Sequence, residues 1–330
     1  MIPFVLNKQI SYPALTKYLS SAHKTNQFSN YGWAVQELEN RARDMLKIDD
    51  SKAIIATSNG TTALHAMLWA IFRQDGVQRV GTQDFTFPSN SLGPAACPIV
   101  TDMLPNLNLN LDDEYIKASS ALLVTNIFGH LQDFNYIANY NFPYLILDNA
   151  ATPYSFWEGT NSCNLGTGSY ISLHHTKPLG FGEGGLAIID KKYEEQTRIA
   201  CNFGIVNYKF NERSGNYKMS EISAAAILQW WDQFDINDLR DKYVDNYYKV
   251  KYEMRDEEGS AWINYGDNDN FFPSCYPFIH EKKIKVEDNK SNYEARKYYK
   301  PLRGFPISTE LYERILCYAI TNEVESCLKK

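Results

Sequence analysis

The sequence predicts an α/β fold built on a largely parallel sheet, and three observations lead there. Short β-prone runs recur at helix-sized intervals: AIIATS at 53–58, RVGTQ at 79–83, CPIVTD at 97–102, ALLVTNI at 121–127 and YLILD at 144–148. Amphipathic helical spacing precedes the first run and returns after the last. The 330 residues, 44% of them hydrophobic and 22% charged, suit an ordered globular chain longer than one core usually allows, so one large domain and a smaller one are expected.

Taken in order, the N-terminal MIPFVLNKQISYPALTKYL has no basic start leading into a long apolar run. Nowhere do 18 apolar residues occur together, so neither export nor membrane insertion is predicted, and a cytoplasmic protein is expected. From Trp33 to Lys47 the apolar residues Val35, Leu38, Ala42, Met45 and Leu46 recur at helical spacing among Glu37, Glu39 and Arg43, which predicts an amphipathic helix. Two further strand runs, GSYISLH at 168–174 and GLAIID at 185–190, are separated by ten residues. That gap is short for a helical crossover, so a local antiparallel pair is expected. MSEISAAAILQWWDQF at 219–234 reads as a tightly packed helix rich in small residues, and 236–258 as a long charged helix leading out of the first domain. Residues 259–300 are polar and aromatic with weak periodicity and carry no assignment.

Net charge is −6 with no block of five like charges, which argues against a general attraction to nucleic acid or an anionic membrane. The six cysteines (Cys97, Cys163, Cys201, Cys275, Cys317, Cys327) show no C-x-x-C spacing. Reduced thiols, with no disulfide and no zinc site, are expected.

In doubly wound sheets ligands collect beyond the carboxyl ends of strands, which directs attention to four places. In SNGTTALHAML (58–68) a strand runs through Gly60 and Thr61 into a helix, and the N–H groups and dipole there suit an anion such as phosphate; a simple capped turn is the plain alternative. Asp148 closes the run YLIL, where a carboxylate needs a cation or donors, unless it merely caps a helix beginning at Asn149–Ala150. Phe87, in DFTFPSN, suits stacking on a flat ring or ordinary core packing. Lys177, in HHTKPLGFGEGG, is either an exposed loop lysine or a pocket lysine whose lowered pKa lets it attack a carbonyl. Its glycines follow the lysine, so the segment is not a phosphate loop of the G-x-x-x-x-G-K-[ST] kind. His174 and His175 lack a carboxylate at metal-site spacing, and adjacent strand residues face opposite sides, so no metal is expected.

The order of these signals resembles the DegT/StrS-type sugar aminotransferases. The resemblance is carried in series by QFSNYGWAVQELE (27–39), NGTTALHAML (59–68), DFTFPSN (84–90), PIVTD (98–102), NIFGHLQD (126–133), LILDNAA (145–151), SLHHTKPLGFGEGG (172–185) and GNYKMSEISAAAILQ (215–229). It is weaker through YYKPL (298–302) and FPISTELYERILCYAI (305–320). The resemblance implies the fold type I of pyridoxal 5′-phosphate (PLP) transferases: a mostly parallel central sheet of the seven-stranded type flanked by helices, with a smaller α+β C-terminal domain. On that reading residues 1–240 form the PLP-binding domain and 241–330 the small domain, with the N-terminal segment 1–25 packing near the latter.

The resemblance further implies roles. Lys177 would form the internal aldimine and move the proton, and Asp148 would keep the pyridine nitrogen protonated so that the ring withdraws electrons. Phe87 would stack on the ring, Gly60, Thr61 and Ser172 would bind its phosphate, and Asn216 would reach the phosphate of a neighbouring subunit, making a homodimer with shared active sites. The substrates implied are glutamate as donor and a nucleotide-linked keto-deoxysugar as acceptor, in amino-sugar synthesis for a surface polysaccharide such as O-antigen. His174 matches a residue common in the family, and Glu183 is a loop-structuring or substrate-side residue.

Two positions depart from the family pattern. Ala151 stands where His or Gln usually meets the ring hydroxyl, and Lys218 replaces a common arginine. Two alternatives stay open: a PLP-type sugar dehydratase, against which Lys177 argues because such relatives carry histidine there, and a non-catalytic regulator binding PLP or a sugar nucleotide, supported only by Ala151.

Overall fold

The computed structural model describes residues 1–76, 79–95, 98–207, 209, 214–261 and 271–328. Its helices are α1 (Tyr12–Thr25), α2 (Trp33–Leu46), α3 (Gly60–Asp75), α4 (Glu114–Lys117), α5 (Phe134–Ala138), α6 (Glu194–Cys201), α7 (Glu221–Trp231), α8 (Ile236–Glu253) and α9 (Pro306–Arg314). Strands β1 (Lys52–Thr57), β2 (Val80–Gln83), β3 (Ile99–Thr101), β4 (Ala121–Thr125), β5 (Tyr144–Asp148), β8 (Gly168–Ser172) and β9 (Gly185–Asp190) form one seven-stranded sheet in the order β1-β9-β8-β5-β4-β2-β3. The short strands β6 (Phe156–Trp157) and β7 (Thr160–Asn161) make a hairpin beside it.

Every pairing from β8 to β3 is parallel, while β9 runs antiparallel to both β8 and β1. The strand expected to turn back after the Lys177 loop does so. Period-two alternation then divides the core: Ile54, Ala56, Ile171, Leu186 and Ile188 face α2 and α7, whereas Ala53, Ile55, Tyr170, Ala187 and Ile189 face α3 and α6. A sheet covered on both faces needs continuous apolar runs, which is why these strands stood out in the sequence.

The helix read at 33–47 is α2, and its N-terminus is capped from a distance. Gly32 offers no side chain, and the buried Glu221, in the first turn of α7, accepts the N–H groups of Ala34 (2.7 Å) and Val35 (3.4 Å). Gly32 is needed for this approach, because a Cβ there would lie 2.6 Å from the Glu221 carboxyl carbon. Charge-assisted bonds to a helix start are strong, so Glu221→Ala is expected to lower unfolding stability by roughly 2 kcal/mol, read as a reduced denaturation midpoint, with Glu221→Gln losing less.

A second, four-stranded antiparallel sheet has the order β10-β11-β13-β12, from β10 (Gly259–Ala261), β11 (Tyr276–His280), β12 (Ala295–Arg296) and β13 (Ile315–Tyr318). The segment left unassigned thus holds three short strands, and its residues 262–270 lie outside the described ones. The division expected at residue 240 falls inside α8, a continuous helix that buries Leu239, Tyr243, Tyr247 and Val250. Two carboxylates of the large sheet hold α9 in place. Asp102 accepts from the Ile307 and Ser308 N–H groups, both 2.9 Å, and Asp84 accepts from Arg303 and Phe305 N–H.

Residues 1–4 lie along the second sheet: Ile2 bridges Tyr293 and the Phe4 N–H donates to Glu294. The chain then crosses to α1, a helix the sequence analysis did not assign, which starts at Ser11 with Pro13 in its first turn and packs on α2 and α7. No described helix is long and apolar enough to cross a membrane.

Candidate active site

The carboxyl ends of β1, β4, β5 and β8 open into one cavity of about 650 Å³. Gly60, Thr61, Phe87, Asp148, Ser172 and Lys177 all line it; of the cofactor residues expected from sequence, Asn216 alone does not. Local chemistry explains each position.

Asn59 caps α3 by accepting the Thr62 N–H (2.9 Å), and Thr62 closes the capping box by accepting the Asn59 N–H (3.1 Å). The plain capped-turn reading is therefore correct as far as it goes, yet the same turn presents Gly60 and Thr61 to the cavity with the positive end of a long helix behind them. Ser172 ends β8 beside this turn; a Cβ on Gly60 would come within 3.2 Å of the Ser172 Cβ.

Asp148 is only 3% exposed, at the end of β5. Its Oδ1 accepts the Ala150 N–H (3.0 Å) and its Oδ2 accepts from Asn90 Nδ2 and Thr125 Oγ1, both 3.2 Å; no helix begins at Asn149. Tyr170 Oη in turn donates to Asn90 Oδ1 (2.7 Å). Burial pushes the carboxyl pKa up, opposed by Tyr170, the Ala150 N–H, Asn90 and the Lys177 charge. Lys177 has its ammonium pKa pushed down by burial, with Asp148 pulling the other way. A basic amine and a buried carboxylate thus face one cavity, each altering the other's titration.

Phe87 is 51% exposed, against the core alternative, and its ring stands nearly perpendicular to that of Tyr299 with centroids 6.4 Å apart. Tyr299 stacks on Phe128 with ring centroids 5.2 Å apart, and Phe4, Cys275 and Tyr298 extend this wall. These residues, like Asn90, Thr125 and Tyr170 behind Asp148, were not identified from sequence.

His174 and Glu183 stand at the cavity wall, with His174 Nε2 3.4 Å from a Glu183 oxygen and His174 Nδ1 2.8 Å from Thr176 Oγ1. His175 packs instead on Phe181. Among the described residues no group of three potential metal ligands occurs, and five cysteines are free thiols, Cys97 lying outside those residues. Two glycines of GFGEGG, Gly180 and Gly185, serve close packing of backbone on backbone. A Cβ on Gly180 would meet the His174 carbonyl at 2.1 Å, and one on Gly185 the Asn59 carbonyl carbon at 2.3 Å, so they let the loop fold on itself and β9 approach the α3 turn.

A model of the DegT/DnrJ/EryC1/StrS aminotransferase family matches residues 12–324. The chain belongs to that family. Its cofactor is accordingly PLP, and the chain is an enzyme of the aminotransferase class. "Protein Rv3402c" of Mycobacterium tuberculosis is 26% identical over 91% of this chain and 77% of its own length. The GDP-perosamine synthase of Caulobacter vibrioides is 25% identical over 71% of this chain and 66% of its own. In structure, Helicobacter pylori PseC, an aminotransferase involved in pseudoaminic acid biosynthesis, superposes with a TM-score of 0.79 at 15% identity, over 98% of this chain and 95% of that one. That likeness establishes fold type I.

The cavity fits the cofactor on its own evidence. A helix start suits the phosphate, a buried carboxylate held by neutral donors suits a protonated ring nitrogen, and a lysine of depressed pKa suits an aldehyde. Asn216 is exposed and pairs with Asn202 through an isolated β-bridge, near Lys218, which donates to Asn202 (2.7 Å) and lies over the Phe203 ring.

Proposed function

We propose that this protein moves an amino group from glutamate to a nucleotide-linked keto-deoxysugar, with Lys177 as the covalent anchor for PLP and as the proton carrier. The observation that carries this reading is the placement of Lys177 and Asp148 on one cavity with the start of α3. When bound, PLP supplies an electron sink for the carbon that loses its proton. The residues do the rest. The Lys177 amine, in its neutral form, would take the proton from the substrate carbon and hold it for return. Asp148 would keep a proton on the ring nitrogen, Phe87 would cover a ring face, and Gly60, Thr61 and Ser172 would hold the phosphate. The Ala151 side chain has no polar group to offer the ring hydroxyl, so that contact would have to come from elsewhere. The family membership and the GDP-perosamine synthase relative support a nucleotide-sugar acceptor.

Asn216, exposed and away from its own cavity, is read as a phosphate contact for a second copy of the chain. Exposed Phe203, Ile205, Val206 and Ile222 near it support a homodimer. A cytoplasmic role in making an amino sugar for surface polysaccharide suits such an enzyme.

The test is incubation of the PLP-loaded protein with glutamate and a panel of dTDP-, UDP- and GDP-linked keto-sugars, read by mass spectrometry and by NMR for the position of amination. The expected products are 2-oxoglutarate and one amino-sugar nucleotide. A deoxygenated sugar with released ammonia would replace this reading with a dehydratase, and binding without turnover would replace it with a regulator.

A further inference from the structure

Lys8 is only 7% exposed, and its partners are carbonyls rather than a carboxylate. Its ammonium donates to the carbonyl oxygens of His175 (2.8 Å), Lys177 (2.5 Å) and Gly180 (2.5 Å), using all three of its N–H bonds, and lies 5.2 Å from the Trp230 ring centre. The two carbonyls between are held as well: Trp230 Nε1 donates to Pro178 (3.0 Å) and Trp231 Nε1 to Leu179 (2.8 Å). Five carbonyls around Lys177 are therefore fixed by side chains from two distant parts of the chain, the N-terminal segment and α7. The segment is itself anchored at both ends, by Phe4 on Glu294 and by the Gln9 carbonyl and Ser11 N–H on Gln233 and Gln229.

We propose that Lys8, with Trp230 and Trp231, is a positioning residue for Lys177: it clamps the carbonyls of the turn 175–180 and so fixes where the reactive amine sits. A turn this tight leaves its carbonyls pointing into protein, where each needs a donor. An ammonium is the one side-chain group with three donors on a single atom, so it can collect three convergent carbonyls that no amide or hydroxyl could satisfy together. A displacement of about 1 Å at a reacting group is enough to lower a rate roughly a hundredfold.

The inference rests on Lys177 being the PLP anchor, and its test separates the two claims. In the PLP-free protein, Lys8→Ala is expected to speed backbone amide exchange across 173–184 while leaving exchange in β1–β5 unchanged. Methylammonium, which restores three N–H donors, should slow it again, and tetramethylammonium, which has none, should not. In the PLP-loaded protein the same variant should shift the pH midpoint of the visible absorbance and lower kcat by about tenfold to a hundredfold with little change in KM for glutamate. Should Lys8→Ala fail to fold, Trp231→Phe, which removes the indole N–H donor and keeps an aromatic ring of smaller size, carries the same readouts in smaller measure. Unchanged exchange, or rescue by tetramethylammonium as well as by methylammonium, would overturn the clamp. Wild-type protein that takes up PLP elsewhere than Lys177 would overturn the anchor while leaving the exchange result standing.

Discussion

Lys177→Ala protein is expected to lose about four orders of magnitude or more in amino transfer, the upper end for removal of a general base, because on the proposed reading the same side chain anchors the cofactor and carries the proton. PLP should still bind, held by the α3 start, Asp148 and Phe87, but without the visible absorbance of a lysine-linked cofactor. Lys177→Arg should be as inactive, since a guanidinium neither condenses with the aldehyde nor gives up its proton. The pKa direction adds a sign. Only the neutral amine attacks an aldehyde, and its fraction grows as pH rises through the Lys177 pKa, which burial lowers from the ordinary 10.5. The rate of PLP uptake by stripped protein should therefore rise with pH and level off below the pH at which a solvated lysine would, as stopped-flow absorbance would record.

Asp148→Asn comes next in size. The amide keeps the shape but not the charge, so on the proposed reading the ring nitrogen would lose the partner that keeps it protonated, and kcat should fall by about 10²–10³-fold, the usual loss when one preorganised electrostatic contact is removed. Stability behaves differently. The Asp148 pKa is raised in the folded state, so folding takes up a proton and stability falls as pH rises from the ordinary carboxyl range through that raised value. Asparagine removes this penalty while leaving one of the surrounding donors without its acceptor. Activity of the loaded protein should collapse while the melting temperature of the PLP-free protein holds near that of wild type, the pattern of a residue kept for function rather than folding. A fall in both together would mark Asp148 as structural.

The strands were legible in the sequence because a sheet buried on both faces requires uninterrupted apolar runs, and the ends of β1 and β5 then pointed to Gly60 and Asp148, whereas Ser172 came only from the family resemblance. Lys177 was legible through its neighbours, and of the glycines beside it Gly180 and Gly185 serve the packing of the loop and of β9. The opposite wall was not legible. Phe4, Cys275, Tyr298 and Tyr299 come from short strands and turns whose periodicity is weak, and Asp84 and Asp102, which tie α9 to the large sheet, look like ordinary loop acids until the fold brings 303–308 to them. Polar residues behind Asp148 were hidden for the same reason: Asn90, Thr125 and Tyr170 lie 35 or more residues from their partners Thr125 and Asn90. Lys8 sits among polar residues near a terminus, where a lysine ordinarily means solvent, and nothing local reveals that its donors are spent on a turn far along the chain.

The most direct measurement of the central claim is reduction of the PLP-loaded protein with sodium borohydride, followed by digestion and peptide mass spectrometry. Reduction turns the lysine–cofactor double bond into a stable secondary amine that survives digestion. The account predicts one phosphopyridoxyl group per chain, on the peptide containing Lys177, and its disappearance when glutamate is added before the reductant. A label on any other lysine, or a yellow protein that yields no labelled peptide, would contradict it.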